Sequence, residues 1–355
     1  MTVRVLALPG DDAAPEAVRP SVALLKRLAP TVVWEELPSG EEGLARYGRE
    51  GFTRLVQEAI DRSHTTLFGA GSGKTAGTTY LRWAKDTYAN VRPVRWRPGF
   101  RSPLRRPEGI DYVIVRENLE DVYVGVEGPL SDLAPLSPRR SRDGRAIDTA
   151  AAGAYAVKVI TEAETIRLAR FAGRLALARQ EAGRPGRVTC AAKHNVLPRT
   201  DGLFVRLVEQ VVRDEFPSLI YEQFIVDDFA RRLVATPQEL DVVVLPNQYG
   251  DILSDEAAGT IGGLGLAPSG CYGDTYAYFE SVHGTAPDIA GRHIINPTAT
   301  LLSAVLMLEY LGRVDEARAL DRAISTVYAE GRCLTPDQGG TATTEEFCAA
   351  VAARL

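Results

Sequence analysis

Two aspartates four residues apart, Asp251 and Asp255 in Asn247-Gln-Tyr-Gly-Asp-Ile-Leu-Ser-Asp255, are spaced to do chemistry. A strand ends just before them and Gly250 turns the chain. On a helix, positions i and i+4 share a face, so both carboxylates project together. Hard oxygen donors suit Mg2+ or Mn2+, with a further carboxylate or the substrate completing the shell. Asp227-Asp228, after Ile225-Val226, can supply that carboxylate. The plain alternative is that an Asp pair near a helix start only caps it and complements its dipole.

Arginines form a second cluster: Arg82, Arg92, Arg95, Arg97 and Arg101, with Arg116 at the end of an apolar run. Forked guanidiniums hold carboxylates bidentately, so several converging on one pocket imply a small polyanionic substrate. A solvated basic face is the ordinary alternative. Only five of the 41 basic residues are Lys (Lys26, Lys74, Lys85, Lys158, Lys193), and a Lys can lose a proton where Arg cannot. Lys193 directly follows a strand candidate, and burial beside apolar groups lowers a Lys pKa, which suits proton transfer. His194 beside it reads as a bystander. The stretch from Phe279 to Gly291, followed by Asn296-Pro297, is dense in Gly, Thr and Pro and reads as a ligand-shaped loop.

Two phosphate-binding patterns fail on inspection. Gly69-Ala-Gly-Ser-Gly-Lys-Thr75 ends like a P-loop, but Phe68 stands where the first Gly belongs. Gly262-Gly-Leu-Gly265 follows a helix candidate, whereas a Rossmann fingerprint lies between a strand and a helix.

The elements that must position these groups alternate. Val3–Leu8, Val32–Leu37, Thr65–Phe68, Asp111–Arg116, Arg187–Ala191, Leu219–Val226 and Asp241–Leu245 read as strands. Ala14–Leu28, Gly51–Ser63, Ala150–Ala182, Thr298–Leu311, Val314–Glu330 and Thr344–Leu355 read as helices. The alternation predicts an α/β fold with a mostly parallel sheet. Arg92–Pro107 is expected to be an irregular domain crossing, and Leu133–Arg145 a projecting loop or arm.

Length, at 355 residues, predicts about two domains. A net charge of −5 argues against a general nucleic-acid binder, and no apolar run approaches the ~20 residues of a membrane span. Four scattered cysteines without a C-x-x-C pair predict reduced thiols and a cytoplasmic setting.

Taken in order, the motifs resemble the metal-dependent β-decarboxylating dehydrogenases of isocitrate, homoisocitrate, 3-isopropylmalate and D-malate/tartrate. The matching motifs are Tyr80-Leu-Arg82, Asp86-Thr-Tyr-Ala-Asn-Val-Arg-Pro93, Val113-Ile-Val-Arg-Glu-Asn118, Glu120-Asp-Val-Tyr123 and Lys193-His-Asn-Val-Leu197. Val226-Asp227, Gly250-Asp-Ile-Leu-Ser-Asp255, Gly263-Leu-Gly-Leu-Ala-Pro-Ser-Gly270 and the His283 loop complete the set. Any one is weak; the ordered set is specific.

The resemblance implies a two-domain α/β fold that is not a Rossmann fold. Residues 1–97 and 262–355 would form the large domain with the cofactor loop, and 98–261 the small one with the metal site and dimer arm. It implies a homodimer with shared active sites. Arg82, Arg92 and Arg116 would clamp the malate-like part of the substrate, with Lys74, Thr78 and Asn195 also touching it. Tyr123 and Lys193 would be the acid/base pair, with Lys193 donated by the second protomer. Asp251 and Asp255, with Asp227 from the second protomer, would bind Mg2+ or Mn2+. His283, Gly284, Thr285, Ala286, Asp288, Ile289 and Asn296 would hold NAD. Asp288-Ile289 favours NAD because a carboxylate accepts from ribose hydroxyls and repels a 2′-phosphate. NADP users of the family carry Lys-Tyr there and a basic side chain near Gly340.

Substrate choice is read from Gly73-Lys-Thr-Ala-Gly-Thr-Thr-Tyr80, whose small polar residues lack an apolar wall. Lys74 and Arg101 point to a further anionic γ-group, homoisocitrate- or isocitrate-like, even a phosphonate. 3-Isopropylmalate or D-malate/tartrate is the alternative. A P-loop phosphotransferase and a non-catalytic acid-binding protein remain as readings from other classes. No nucleic acid or membrane partner is expected.

Overall fold

Alternating apolar runs and amphipathic segments build a mixed ten-stranded sheet clad in helices. The computed structural model describes residues 3–355. The chain opens with β1 (Arg4–Leu8), α1 (Ala14–Leu28), β2 (Val33–Glu36), α2 (Gly40–Arg62) and β3 (Thr65–Phe68). The middle runs β4 (Ala89–Arg95), β5 (Asp111–Glu117), β6 (Glu127–Pro129), β7 (Ala154–Ala156), α3 (Glu162–Glu181) and β8 (Arg187–Ala192). Then come α4 (Asp201–Glu215), β9 (Ile220–Ile225), α5 (Val226–Ala235), β10 (Val242–Leu245) and α6 (Asn247–Ile261). The chain finishes with β11 (Pro268–Tyr272), β12 (Ala277–Ser281), α7 (Thr298–Tyr310), α8 (Val314–Glu330) and α9 (Thr344–Ala352).

The main sheet has the order β2-β1-β3-β12-β11-β4-β5-β10-β8-β9. Both wings are parallel, and antiparallel pairs β12–β11, β11–β4 and β4–β5 join them. Central strands such as β10 are buried along their whole length, as strands covered on both faces must be. Helix α7 is apolar all round and lies in the core. Each fully buried side chain, such as Leu301 or Phe279, contributes about 1.5–3 kcal/mol.

Two expectations need correction. Ala150–Ala182 is helical only as α3, because Thr161 caps the helix by accepting from Glu164 N, and Ala154–Ala156 before it is a strand. Arg92–Pro107 is not wholly irregular: its first residues belong to β4 in the middle of the sheet. Proline is unfavourable in a central strand, yet β11 pairs β4 only from Ala89 to Val91, so Pro93 lies where one edge is open. The segment Leu133–Arg145 is a loop, as expected, seated on a small β6–β7 ribbon and a 3-10 turn at Leu130–Leu136. Strands β11 and β12, rich in Gly, Ser and Tyr, were outside the predicted set.

Candidate active site

Strand alternation decides what β4 and β5 offer to each face. Asn90 and Arg92 of β4, with Arg116 of β5, point towards α6. Val91, Pro93 and Arg95 line a groove of about 560 Å3 on the other side, between α3, α7 and α8. This groove is therefore on the reverse of the Arg92–Arg116 cluster.

Helix α6 approaches β5 closely through Gly250, and Asp251 and Asp255 sit one turn apart on it. Arg92 donates to Ser254 Oγ at 2.6 Å, to Asp255 Oδ1 at 3.3 Å and to Asp251 Oδ1 at 3.4 Å. Its Nε donates to Asn90 Oδ1 at 3.1 Å. Arg116 donates twice to Asn247 Oδ1, at 3.0 and 2.7 Å, and once to Asp251 Oδ1. Tyr123, on a 3-10 turn at Val122–Val124, donates to Asp251 Oδ2 at 3.2 Å. Burial and the Arg92 charge push the Arg116 guanidinium down to about 10, so it stays a cation at neutral pH. Burial, together with Asp251, raises the Tyr123 phenol, which holds its proton. Burial also raises Asp255, against the pull of Arg92.

Arg82 lies beside this group, its Nε buried without a partner. Glu280, Cys271 and Tyr278 surround it; burial raises the Glu280 carboxyl, which the three arginines partly offset. Asn90, Asn247, Ser254 and Glu280 were missed as site residues. Asn90 was legible in principle, since it precedes Arg92 by two and so shares its strand face.

Lys193 and Asp227 meet elsewhere. Lys193 leaves the end of β8, Asp227 lies in the first turn of α5, and the ammonium pairs with Asp227 Oδ1. That hydrogen bond lowers the Asp227 carboxyl. Asn195 is exposed in the turn after Lys193. Among the described residues no three Asp, Glu, His or Cys side chains of one chain gather into a metal site. Asp251 and Asp255 nonetheless suit a hard divalent ion: their side chains are 37% and 49% exposed, supply oxygen only, and need another ligand.

The Gly-rich turn is plugged from within. Asp11, which is buried, accepts from Ser72 N at 2.6 Å, Lys74 N at 3.1 Å and Thr75 N at 2.9 Å. A carboxylate occupies the amides that a P-loop would offer to phosphate. Lys74 is likewise engaged, by Glu41 at 2.8 Å and Asp12 at 3.0 Å, and both raise its pKa. Its long stem reaches these two carboxylates. Arg101 is also elsewhere, packed by Gln338 and Gly339. Thr78 does line a pocket of about 430 Å3, with Arg49, Thr75, Thr79 and Trp83.

In the loop expected to hold the cofactor, Thr285 O accepts from Ala13 N at 3.0 Å, tying the loop to the start of α1. Ala286 is left-handed at φ 48°. His283 is neutral, its pKa lowered by burial, and its Nε2 is buried without a partner, an orphan that an adenine ring can satisfy. Asp288 is exposed. Asn296 turns its amide inward, donating to Asp337 at 2.9 Å and to Tyr328 at 3.1 Å, so its side chain braces the loop.

The family model for isocitrate/isopropylmalate dehydrogenase matches residues 4–351. The chain belongs to this family. It is 41% identical over 354 residues to the 3-isopropylmalate/3-methylmalate dehydrogenase of Methanocaldococcus jannaschii, covering 99% of this chain and 98% of that one. It is also 41% identical over 366 residues to the isocitrate/homoisocitrate dehydrogenase of Thermus thermophilus, covering 100% and 99%. Isocitrate dehydrogenase from Methylococcus capsulatus has the same fold, with a TM-score of 0.84, 31% identity and 99% coverage of both chains. As a member of the isocitrate/isopropylmalate dehydrogenase family the protein is a decarboxylating oxidoreductase acting on a small hydroxy acid, with no helix among the described residues long and apolar enough to cross a membrane.

Proposed function

We propose that the protein oxidises and decarboxylates a 3-carboxy-2-hydroxy acid, using NAD and Mg2+ or Mn2+ in active sites shared between two copies of the chain. The observation that carries this reading is the convergence of Arg92, Arg116, Asp251, Asp255 and Tyr123 on one side of the sheet.

Arg82, Arg92 and Arg116 hold the substrate carboxylates by charge-assisted hydrogen bonds and fix which face of C2 is presented. Asp251 and Asp255 hold the divalent ion together with Asp227 of a second copy. Lys193 of the second copy takes the proton of the C2 hydroxyl. Tyr123, protonated at neutral pH, delivers a proton to C3 after CO2 has left. When bound, the nicotinamide would supply the hydride acceptor and the divalent ion a positive charge to offset the developing oxyanion. His283 to Ala286, Asp288 and Ile289 hold the adenosine half, with Asn296 bracing them.

Thr78 and Thr79 give the pocket next to Tyr80 and Trp83 hydroxyl groups, which favours a polar γ-substituent, as in isocitrate or homoisocitrate. Exposed Val124, Val126, Leu136, Ile147 and Val157 around the β6–β7 ribbon support a surface covered by the second copy. The experiment is a panel of isocitrate, homoisocitrate, 3-isopropylmalate and D-malate with NAD or NADP, following nicotinamide reduction. Turnover with NAD and a tricarboxylic substrate is expected; a clear preference for 3-isopropylmalate overturns the polar γ-group, and no turnover on any overturns the reading.

A further inference from the structure

One buried ionic cluster has no part in the chemistry above, yet it touches both segments that carry the acid/base pair. Asp121 and Asp201 have fully buried side chains, and Lys158 is their shared cation, at 3.3 Å from Asp121 Oδ1 and 2.6 Å from Asp201 Oδ1. The Lys158 side chain is 14% exposed, and its ammonium lies 4.6 Å from the centre of the Tyr249 ring. These are charge contacts without hydrogen-bond alignment.

Each aspartate uses its other contacts to hold backbone. Asp121 is left-handed at φ 68° and accepts from Val122 N at 2.8 Å, capping the turn that carries Tyr123. It also accepts from Gln248 N at 3.1 Å, in the first turn of α6. Asp201, at the start of α4, accepts from Lys193 N at 2.8 Å. Lys158 itself lies next to Val159, whose carbonyl accepts from Asp121 N at 2.9 Å. Two carboxylates in so dry a place repel each other and are costly without a cation between them. The Lys158 ammonium is a compact point charge that meets both carboxylates from one atom.

We propose that Lys158 is a positioning residue that, by neutralising Asp121 and Asp201 together, fixes the backbone presenting Tyr123 and the backbone presenting Lys193. The inference rests on the roles proposed above for those two side chains, but hydrogen exchange tests it even without turnover.

The test compares wild type, Lys158→Met and the double variant Lys158→Met/Asp201→Asn. In Lys158→Met, amide exchange over 121–125 and 193–197 rises about tenfold or more while β4 stays protected. Turnover falls about 100-fold, with the KM for substrate within about threefold, because the arginine clamp is untouched. In the double variant the introduced carboxamide oxygen still accepts from Lys193 N and one buried charge is gone, so exchange and turnover recover about tenfold relative to Lys158→Met. A folded Lys158→Met with wild-type exchange overturns the proposal, as does a double variant no better than the single. If Lys158→Met does not fold, the double variant decides: folded with turnover within about tenfold of wild type supports the proposal, and a deeper loss or failure to fold overturns it. A wild type inactive on every substrate, with the exchange result as expected, refutes the functional reading and leaves the positioning role standing.

Discussion

Gly250 lies so near Arg116 that a Cβ added to it would be 2.6 Å from Arg116 Cγ and 2.7 Å from Arg116 Cβ. Those atoms belong to the stem of a side chain rooted in the sheet, so they cannot swing aside. Glycine at this position is what lets α6 lie low enough for Asp251 to reach the guanidinium. Gly250→Ala should push the helix outward, at a cost of about 1–3 kcal/mol in stability. The same shift should lower kcat/KM by about 100-fold. Denaturant unfolding and steady-state kinetics on the one variant check both.

Lys193→Met removes the group proposed to take the hydroxyl proton. The Lys193–Asp227 pair is partly exposed, with side chains 31% and 66% accessible, so its loss should leave the unfolding midpoint near that of wild type. Turnover should drop by about 10²–10⁴-fold. A variant that turns over as fast as wild type would exclude Lys193 as the base.

Glu117 is buried at the end of β5, and burial pushes its carboxyl up to about 8, only partly offset by hydrogen bonds from Leu119 N and Glu120 N. Its ordinary value is 4.5. Below that value the folded and unfolded chains both keep the proton. Between 4.5 and about 8 the unfolded chain releases it while the folded chain does not, so stability falls as pH rises. Glu117→Gln lacks this slope. Denaturant unfolding at the two ends of the window should show wild type losing about 1–4 kcal/mol more than the variant on going from acid to alkaline. Parallel curves would refute the shift.

Asp288 and Ile289 are expected to set the cofactor. Asp288→Lys with Ile289→Tyr replaces a carboxylate that repels a 2′-phosphate with two groups that can bind one. The ratio of kcat/KM for NADP over NAD should rise about 10–100-fold, the worth of one or two charge-assisted contacts. An unchanged ratio would move the determinant to another part of the loop.

Much of the scaffold was legible because hydrophobic period is a local signal. Helices α1 and α8 have the predicted bounds, as does β3. Failures came where tertiary contacts outrank local pattern. Pro93 argued against a strand, and only the short overlap of β11 with β4 makes it tolerable. The alanine run at 150–152 read as helix, yet it is exposed and has no apolar face to bury. At the candidate site, spacing singled out Asp251, Asp255, Arg92 and Arg116, which the structure brings together, whereas Arg95, Arg97 and Arg101 of the same cluster lie elsewhere. Spacing could not foresee that Lys74 would be taken by Asp12 and Glu41, one of them 62 residues away in sequence. Nor could it foresee Glu280 as the counter-charge beneath the clamp, since a single acid at a strand end carries no periodic signature.

The turn at Ser72–Thr75 owes its quiet to a single side chain. Three amides and two hydroxyls converge on Asp11, which silences a ring of donors that would otherwise attract oxyanions from solution. Trimming that residue to glycine would vacate all five at once, with a tethered ammonium at the rim. Asp11 is thus the gatekeeper that keeps the turn structural.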